Sequence, residues 1–259
     1  MINYKAIIVI SISLTVSLFA CKKVPLSTTE VLFPTDKAFV RIAMFSPGTP
    51  AVMIKSNDVK LNGNFTPGFI GFYPSTINFP DYSAITPGST LKLALPNTGT
   101  QNDSVVLFNS KINTEAGKFY SLTLADTGSK RTAFTTEDKF LPQKDSFLSV
   151  RLINAMVGST LNLIRIDSAS ATDVIRDTLA RNIGYMETSG FISVRTFTTR
   201  PFIRIRITTN TGISLGSPQI PPQTLATGSR RSITYYSYGF IDGIVAPFLP
   251  LLSSNITNQ

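Results

Sequence analysis

The 259-residue sequence contains no histidine, no tryptophan and one cysteine. The lack of histidine excludes a Ser-His-Asp triad, a histidine base near neutral pH and most zinc sites. A single cysteine cannot form an internal disulfide, so any exported domain here must be stabilised by its hydrophobic core. The 15 Asp and Glu residues are scattered and form no cluster typical of a metal or glycosidase site. We therefore predict no catalytic residues, no metal and no cofactor.

The amino terminus has the pattern of an export signal. An apolar run from Ala6 to Ala20 follows a short start that carries one side-chain cation, Lys5, and ends in a small residue. Fifteen helical residues would reach about 22 Å, short of the roughly 30 Å hydrocarbon core, so a permanent transmembrane helix is the weaker interpretation. A folded strand is weaker still, because the run is terminal and is flanked by a lysine and a cysteine.

The end of this run, Leu18-Phe19-Ala20-Cys21, resembles the lipobox of bacterial lipoproteins. The resemblance implies that residues 1–20 are a cleaved signal peptide and that Cys21 carries thioether-linked acyl chains such as palmitate. One acyl chain gives only marginal membrane binding, whereas two or more anchor a protein stably. Residues 21–36 contain two prolines and no periodicity, which predicts a tether between the lipid and the first domain.

The residues after Cys21 bear on the membrane face. One group of Gram-negative bacteria places acidic residues there to direct lipoproteins to the cell surface, but Lys22 and Lys23 occupy these positions. The resemblance therefore implies an outer-membrane lipoprotein of the cell envelope and leaves open whether it faces the periplasm or the surface.

The chain is basic, with a net charge of +9, or +8 once Lys5 has left with the signal peptide. Such an excess favours anionic partners. Because an exported protein rarely meets nucleic acid, we expect an anionic glycan or an envelope protein as the partner beside the lipid bilayer, and no nucleic acid.

The body of the chain contains an internal duplication. Val40-Arg41-Ile42 matches Val150-Arg151-Leu152 at an offset of 110, and Ser121-Leu122-Thr123 matches Ser232-Ile233-Thr234 at an offset of 111. Fixed offsets of this kind indicate repeated structural units. The predicted boundaries are 37–128 for the first repeat, 129–145 for a linker, 146–241 for the second repeat and 242–259 for a carboxy-terminal tail.

Both repeats are rich in Val, Ile, Thr, Phe and Tyr, with Gly and Pro spread between short runs. This composition is typical of strands separated by turns, so we predict an all-β protein of two tandem immunoglobulin-like β-sandwich domains without the cysteine pair and tryptophan of antibody domains. The predicted strands lie near 38–45, 51–55, 69–73, 89–95, 104–110, 118–125, 147–154, 160–166, 190–197, 202–208 and 231–238.

A family resemblance joins these features. The first repeat combines Val40-Arg41-Ile42, the loop Ser46-Pro47-Gly48-Thr49-Pro50 and a hairpin that leads into Ala116-Gly117-Lys118-Phe119-Tyr120-Ser121-Leu122. It resembles the family of domains of unknown function numbered 4397, which occurs in exported bacterial proteins, often in tandem. The second repeat has Ala155-Met156-Val157-Gly158-Ser159 in place of the loop motif. The resemblance implies fold and location and no activity.

Two groups of side chains are candidates for a site. Ser89 and Lys92 form an S-x-x-K pattern, but serine-lysine chemistry needs both on one helix face, and an odd spacing on a strand separates them. The more suggestive group is basic, because Arg204 and Arg206 alternate with isoleucines along one predicted strand. The predicted anion-binding face comprises Arg195, Arg200, Arg204, Arg206, Arg230 and Arg231, although exposed arginines also occur simply as the solvated side of a strand.

These observations favour a non-catalytic, lipid-anchored envelope protein whose two β-sandwich modules bind a ligand or act as spacers. The alternatives are a purely structural or assembly subunit of an envelope complex, which would expose an apolar strand edge, and a hydrolase that works without histidine.

Overall fold

The computed structural model describes residues 34–45, 52–61, 70–74, 82–97, 103–126, 131–141, 147–168, 174–196, 202–216, 219–220, 231–240 and 251–256. Every regular element in these ranges is a β-strand, which confirms the all-β prediction. No helix within them could span a membrane. Pro34–Gln259 forms one compact unit, so the predicted boundary between two domains stays a prediction.

Nine strands build the first half of this unit. They are β1 (Ala38–Phe45), β2 (Met53–Ser56), β3 (Val59–Lys60), β4 (Ile70–Tyr73), β5 (Ser83–Ile85), β6 (Thr90–Pro96), β7 (Asp103–Lys111), β8 (Phe119–Asp126) and β9 (Arg131–Glu137). Inner sheet 1 has the order β4-β1-β8-β9, with β5 also paired to β1, and outer sheet 1 has the order β3-β2-β6-β7.

Ten strands build the second half. They are β10 (Phe147–Val157), β11 (Leu161–Ser168), β12 (Val174–Ile183), β13 (Glu187–Thr188), β14 (Ile192–Arg195), β15 (Phe202–Thr209), β16 (Ser214–Gly216), β17 (Gln219–Ile220), β18 (Arg231–Phe240) and β19 (Leu251–Ile256). Inner sheet 2 has the order β13-β10-β18-β19, with β14 paired to β10. Outer sheet 2 has the order β12-β11-β15-β16, with β17 paired to β15.

The strand connections of the two halves correspond. In each inner sheet the first strand pairs in parallel with a strand far along the chain, Phe39 with Phe119 and Leu148 with Arg231. In each outer sheet, the strand that follows this first strand in sequence pairs antiparallel with a later strand. β2 pairs with β6, and β11 pairs with β15. The repeated sequence motifs thus lie in strands of equivalent topology.

Each half is a β-sandwich with its own core between inner and outer sheet. In the first sandwich, Val40, Ile42 and Leu122 of the inner sheet pack with Ile54 and Leu93 of the outer sheet. In the second sandwich the same layers are joined by Leu148, Val150, Leu152, Leu161, Leu163, Ile203, Ile205, Ile207 and Tyr235. The period-2 alternation of these strands sends one apolar set of side chains to each core.

The other faces of the two inner sheets pack against each other. Phe45 of β1 stacks on Tyr238 of β18, with ring centroids 4.9 Å apart, in a cluster that also contains Ile153 and Tyr236. All eight residues of β1 are buried as a result, because this strand has a packed layer on both sides. We call this contact the inter-sandwich interface.

A buried ion pair lies at the inter-sandwich interface. The guanidinium of Arg151 on β10 forms a salt bridge with Asp138, which follows β9, and their side chains are 3% and 0% exposed. Arg151 also donates from Nη2 to Ser121 Oγ (2.9 Å) and from Nε to Thr234 Oγ1 (2.8 Å). Its Cζ lies 4.4 Å from the ring centroid of Phe191. Several partners therefore satisfy a charge that burial alone would disfavour.

Asp138 is equally well satisfied. It accepts hydrogen bonds from Tyr82 Oη and from Ser121 Oγ (2.7 Å). Burial, followed by the charge of Asp138, raises the pKa of Tyr82 well above its ordinary value, so the phenol stays a donor. Burial is the largest influence on Arg151 and opposes its charge, but Asp138 together with Tyr236 and Tyr82 raises the pKa of Arg151. Arg151 is thus held in its charged form.

These contacts explain the duplicated motifs. Arg41 and Arg151, the central residues of Val-Arg-Ile and Val-Arg-Leu, are both buried, 6% and 3% exposed, and point away from the apolar cores. The polar residues of the second motif, including Ser121 and Thr234, lie on strands that pair in parallel with them. The repeated sequence therefore marks the strands whose second faces meet at the inter-sandwich interface.

The described residues contain eight strands that were not predicted: the short β3, β5, β13, β16 and β17, and three longer ones. Arg131–Glu137, within the segment predicted as a linker, forms β9 and pairs antiparallel with β8. Val174–Ile183 forms the ten-residue edge strand β12, where no strand was predicted. Leu251–Ile256, in the predicted tail, forms β19 and pairs with β18. In both sandwiches a late strand thus extends the inner sheet.

Candidate functional site

The outward face of outer sheet 2 forms an open cavity of about 320 Å³. Its floor is β11, where Leu161 and Leu163 point into the core and Asn162, Ile164 and Ile166 point outward. Since β11 is hydrogen-bonded to β12 on one side and β15 on the other, both flanking strands supply walls. We call this surface the basic trough; its walls carry Arg176, Thr178 and Arg181 from β12 and Arg206 and Thr208 from β15.

Register places arginines on both sides of the floor. Ile166 is paired with Arg176 on one neighbour and with Arg204 on the other, while Ile164 is paired with Arg206. Directly opposed side chains in a sheet are near neighbours. The outward-facing Ile166 is only 7% exposed, consistent with arginine stems lying across it. Ile164 is half-buried and forms the apolar centre of the trough.

A strand irregularity brings Arg181 to the same face as Arg176. The two residues are five apart, which on a regular strand would send their side chains to opposite faces. The pairing of β12 with β11 shifts register between Leu161 and Ile164, and Asn182 has a φ of 56°. Asn162 fixes this bulge, because its Oδ1 accepts from Asn182 N at 3.0 Å and its Nδ2 donates to Thr209 O at 3.3 Å.

The described lining of the basic trough is cationic. Among the described residues that line the cavity, three are arginines and none is Asp or Glu. Guanidinium groups present several donors in a fixed plane, a geometry that suits carboxylate and phosphate oxygens. This surface can therefore bind an anion.

The outer sheet of the first sandwich carries carboxylates beside its cationic side chains. Lys55 Nζ lies 2.7 Å from Asp103 Oδ1, and Lys92 pairs with Asp58 and, at 3.5 Å, with Asp103 Oδ2. Two lysines thus face two aspartates, and their charges cancel within the protein.

We expect the Lys55–Asp103 pair to make stability depend on pH. The hydrogen bond from Lys55 is the main cause that lowers the pKa of Asp103 below its ordinary value of 3.8. A carboxyl with a lowered folded-state pKa stabilises the protein above the unfolded value and loses that contribution as pH falls through the folded one. Melting temperatures of wild type and Asp103→Asn, compared from pH 7 to pH 2, should therefore converge below about pH 3.8. A constant difference across this range would contradict the assignment.

Where the structure describes them, the predicted anion-binding residues lie in two different sheets. Arg204 and Arg206 lie on β15 in outer sheet 2, with Ile203, Ile205 and Ile207 buried on the opposite face as the alternation predicts. Arg195 ends β14 and Arg231 begins β18, both in inner sheet 2. Arg200 and Arg230 lie outside the described residues.

The sequence reasoning did not find Arg176 and Arg181. Their strand has charged residues, and its bulge breaks the alternation that would have revealed a common face. The odd spacing of the two arginines is typical of opposite faces of a strand. The only usable signal was the presence of two arginines in a segment without Gly or Pro, from residue 174 to 183, and this segment is missing from the predicted strands.

The S-x-x-K pattern does not bring its residues together in a reactive pair. Ser89 is buried and its Oγ donates to Thr86 O at 2.5 Å, while Lys92 forms salt bridges with Asp58 and Asp103. No group of three His, Cys, Asp or Glu side chains within the described ranges could hold a metal ion. Cys21 and the whole predicted signal and tether up to Phe33 lie outside those ranges.

Comparison with known proteins gives little. No family model matches the chain, and no curated protein matches it. Among solved structures, the chain is similar to a family 26 carbohydrate-binding module from Eubacterium rectale Amy13K in complex with maltoheptaose. The two share 12% identity and a TM-score of 0.24, over 82% of this chain and 98% of that one. A likeness of this size has no bearing on what this chain binds.

Proposed function

We propose that the protein is a non-catalytic, lipid-anchored protein of the bacterial outer membrane that binds an anionic ligand in the basic trough. The observation that carries the binding proposal is the cationic lining of this cavity. Arg176 and Arg181 lie on one wall and Arg206 on the other, and no Asp or Glu is among the described lining residues. The inter-sandwich interface would hold the binding face in a fixed position relative to the first sandwich.

The anchor is supported by the sequence Leu18-Phe19-Ala20-Cys21 at the end of an apolar run. Acylation of Cys21 would attach the domain to the bilayer through more than one chain, which suffices for stable anchoring. Metabolic labelling with a palmitate analogue should mark the wild-type chain and leave Cys21→Ser unmarked. A labelled Cys21→Ser variant would contradict the anchor without affecting the binding proposal.

The binding proposal predicts a loss of affinity when the trough arginines are neutralised. In the purified full chain, Arg176→Gln/Arg181→Gln/Arg206→Gln should bind polygalacturonate about 100-fold more weakly than wild type, because three solvent-exposed charge pairs of up to about 1 kcal/mol each amount to about 3 kcal/mol. Neutral dextran should bind to neither. Isothermal titration calorimetry measures the affinity for both ligands. The salt concentration is kept fixed, since polyanion affinity changes steeply with salt.

The matched control removes the same charge from the other sandwich. Lys60→Gln/Lys111→Gln/Lys139→Gln lowers the net charge by three on surface residues of the first half and should keep wild-type affinity. Thermal melting checks that each variant is folded, and Arg176→Gln/Arg181→Gln serves if Arg206 proves necessary for folding. Equal losses in control and trough variants would show that net charge, and not this surface, determines binding.

The assembly-subunit alternative also has an observation in its favour. Val105 on the edge strand β7 is 51% exposed, and Ile175 on the edge strand β12 is 45% exposed. Exposed apolar edge strands can pair with another chain. Self-association of the purified protein, with failure of the arginine variants to alter polyanion binding, would favour this function over ligand binding.

A further inference from the structure

The first sandwich has an open edge between β7 and β9. β7 ends outer sheet 1 and β9 ends inner sheet 1, and in the described part of the chain neither strand has a second neighbour. A cavity of about 310 Å³ lies between them. We call this cavity the edge slot. It is separate from the basic trough, which lies on the second sandwich.

The side chains that line the edge slot belong to the core-facing sides of both sheets. Phe108 and Ser110 of β7 are paired with core leucines of β6, and Thr135 of β9 is paired with a core leucine of β8. Directly paired residues share a face of their sheet. Ser110 and Thr135 are nevertheless exposed, and Val105, on the same face of β7, is 51% exposed. Outer sheet 1 therefore stops short of covering β9.

The backbone of β7 has hydrogen-bonding groups on its open side. Ile112 N, directly after β7, donates to Ser89 O at 3.0 Å on the side of β6. Because the backbone groups of successive strand residues point to alternate sides, those of Lys111 and Asn109 point away from β6. Lys111 O accepts from the neighbouring Ser110 Oγ at 3.3 Å. A strand edge of this kind can bind an added strand through backbone hydrogen bonds.

A strand added to β7 would meet both this backbone and the edge slot. It would extend outer sheet 1 over β9, and alternate side chains of the added strand would point toward β9. The slot-facing residues Ala133 and Thr135 are small, so the cavity has room for such side chains. Leu122 and Ile112 line its inner end and are both buried, which favours aliphatic side chains on the added strand.

The other side chains of the added strand would lie beside a cation. Lys111 is exposed, and no carboxylate among the described residues forms an ion pair with it. Opposite charges on neighbouring strands attract, so an acidic residue is favoured at this position. The net charge of +9 opposes pairing of β7 with β7 of a second copy. The expected occupant is therefore a segment of a different protein in which aliphatic and acidic residues alternate.

We infer that the edge slot binds an extended segment of another protein, which adds to β7 as a strand and places aliphatic side chains in the slot and acidic side chains beside Lys111. This inference goes beyond the proposed function and does not depend on the basic trough. A second copy of this chain is an outcome of the test.

The probe is a capped, fluorescently labelled peptide of nine residues, the length of β7, in which Glu and Val alternate. Fluorescence anisotropy with the purified full chain should show binding at least about tenfold tighter than for a peptide of the same composition with its valines contiguous. Because an acidic peptide can also bind in the basic trough, each measurement is repeated with Arg176→Gln/Arg181→Gln. The difference between the two peptides should persist in that variant.

Two substitutions at one position separate strand addition from binding through side chains. Asn109→Pro removes a backbone N–H that points away from β6, and edge strands tolerate proline where the N–H would face solvent. This variant should bind the alternating peptide at least about tenfold more weakly than wild type. Asn109→Ala shortens the same side chain but keeps the N–H, and it should bind as wild type.

A charge reversal tests the acidic side of the added strand. Lys111→Glu should weaken binding of the Glu-Val peptide about tenfold and strengthen binding of a matched Lys-Val peptide by a similar factor. If both peptides bound Lys111→Glu as they bind wild type, the assignment of an acidic segment to this edge would be wrong.

The outcomes separate this inference from the proposed function. Equal affinity of Asn109→Pro and Asn109→Ala, or of the alternating and contiguous peptides, would overturn it and leave the polyanion measurements on the basic trough unaffected. Light scattering of the wild type alone tests the other occupant, since a dimer that Asn109→Pro abolishes would replace the foreign segment with a second copy. If thermal melting shows that Asn109→Pro is unfolded, Thr135→Phe, which fills the slot from an exposed position, must abolish peptide binding, and Thr135→Ser must retain it.

Discussion

Replacing Asp138 with asparagine should lower the free energy of unfolding by about 3–5 kcal/mol. The substitution keeps the shape of the side chain but removes the negative charge beside Arg151, whose own side chain is 3% exposed. A buried guanidinium without its counter-ion loses its attraction and keeps the penalty of leaving water. It would also weaken the acceptor used by Tyr82 and Ser121.

Thermal and urea denaturation of the full chain measure this effect. For a unit of this size, a loss of 3–5 kcal/mol corresponds to a decrease of roughly 6–20 °C in melting temperature. The double variant Asp138→Asn/Arg151→Met removes both charges and should recover most of the loss. Asp36→Asn is the control, since the Asp36–Lys37 pair is exposed and its loss should change stability by less than about 1 kcal/mol. If Asp138→Asn also changed the free energy of unfolding by less than about 1 kcal/mol, the buried pair would not be needed for stability.

Separating the two sandwiches should have a still larger effect. Residues 146–259 expressed alone would expose Ile153, Tyr236 and Tyr238, which are buried at the inter-sandwich interface, and would leave Arg151 without Asp138. Burial of a large apolar side chain contributes about 1.5–3 kcal/mol, so loss of the interface removes on the order of 10 kcal/mol. This is comparable to the whole stability of a typical domain.

We therefore expect the isolated second half to unfold or to associate through its exposed sheet. Size-exclusion chromatography with light scattering and a thermal melt test this directly. A full chain with a protease site inserted between residues 142 and 146 is the matched control, because its cleaved halves should stay associated and folded. A monomeric second half with the melting temperature of the full chain would instead establish two independent domains.

The strands with plain signals could be predicted from the sequence. Ala38–Phe45 coincides with a predicted strand, and the isoleucines of β15 lie on the core side as their period-2 spacing indicates. The parallel pairing of β1 with β8 and of β10 with β18 could not be predicted. Pairing between distant segments depends on the packing of the whole unit and leaves no local signal.

The role of the duplicated arginines could not be predicted from the sequence either. A charged residue in the middle of an apolar strand indicates a solvated face in most sheets, but Arg151 is buried against Asp138, a residue in the predicted linker. Only the β15 side of the basic trough could be predicted from the sequence, for a related reason. The arginines of β15 alternate regularly, whereas those of β12 share a face only because of a bulge, and a bulge is not visible in the pattern of residue types.

The parallel pairs also have a kinetic consequence. β1 cannot form its parallel pairing until β8 has been synthesised, since Phe39 pairs with Phe119. Likewise β10 cannot form its parallel pairing until β18, which ends at Phe240, has been synthesised. Contacts between residues so far apart in sequence close slowly, because the chain between them loses much freedom before any pairing compensates. During synthesis the central strand of each inner sheet therefore lacks this neighbour until its distant partner, β8 or β18, has emerged, and the nascent chain is most exposed to wrong partners at that stage.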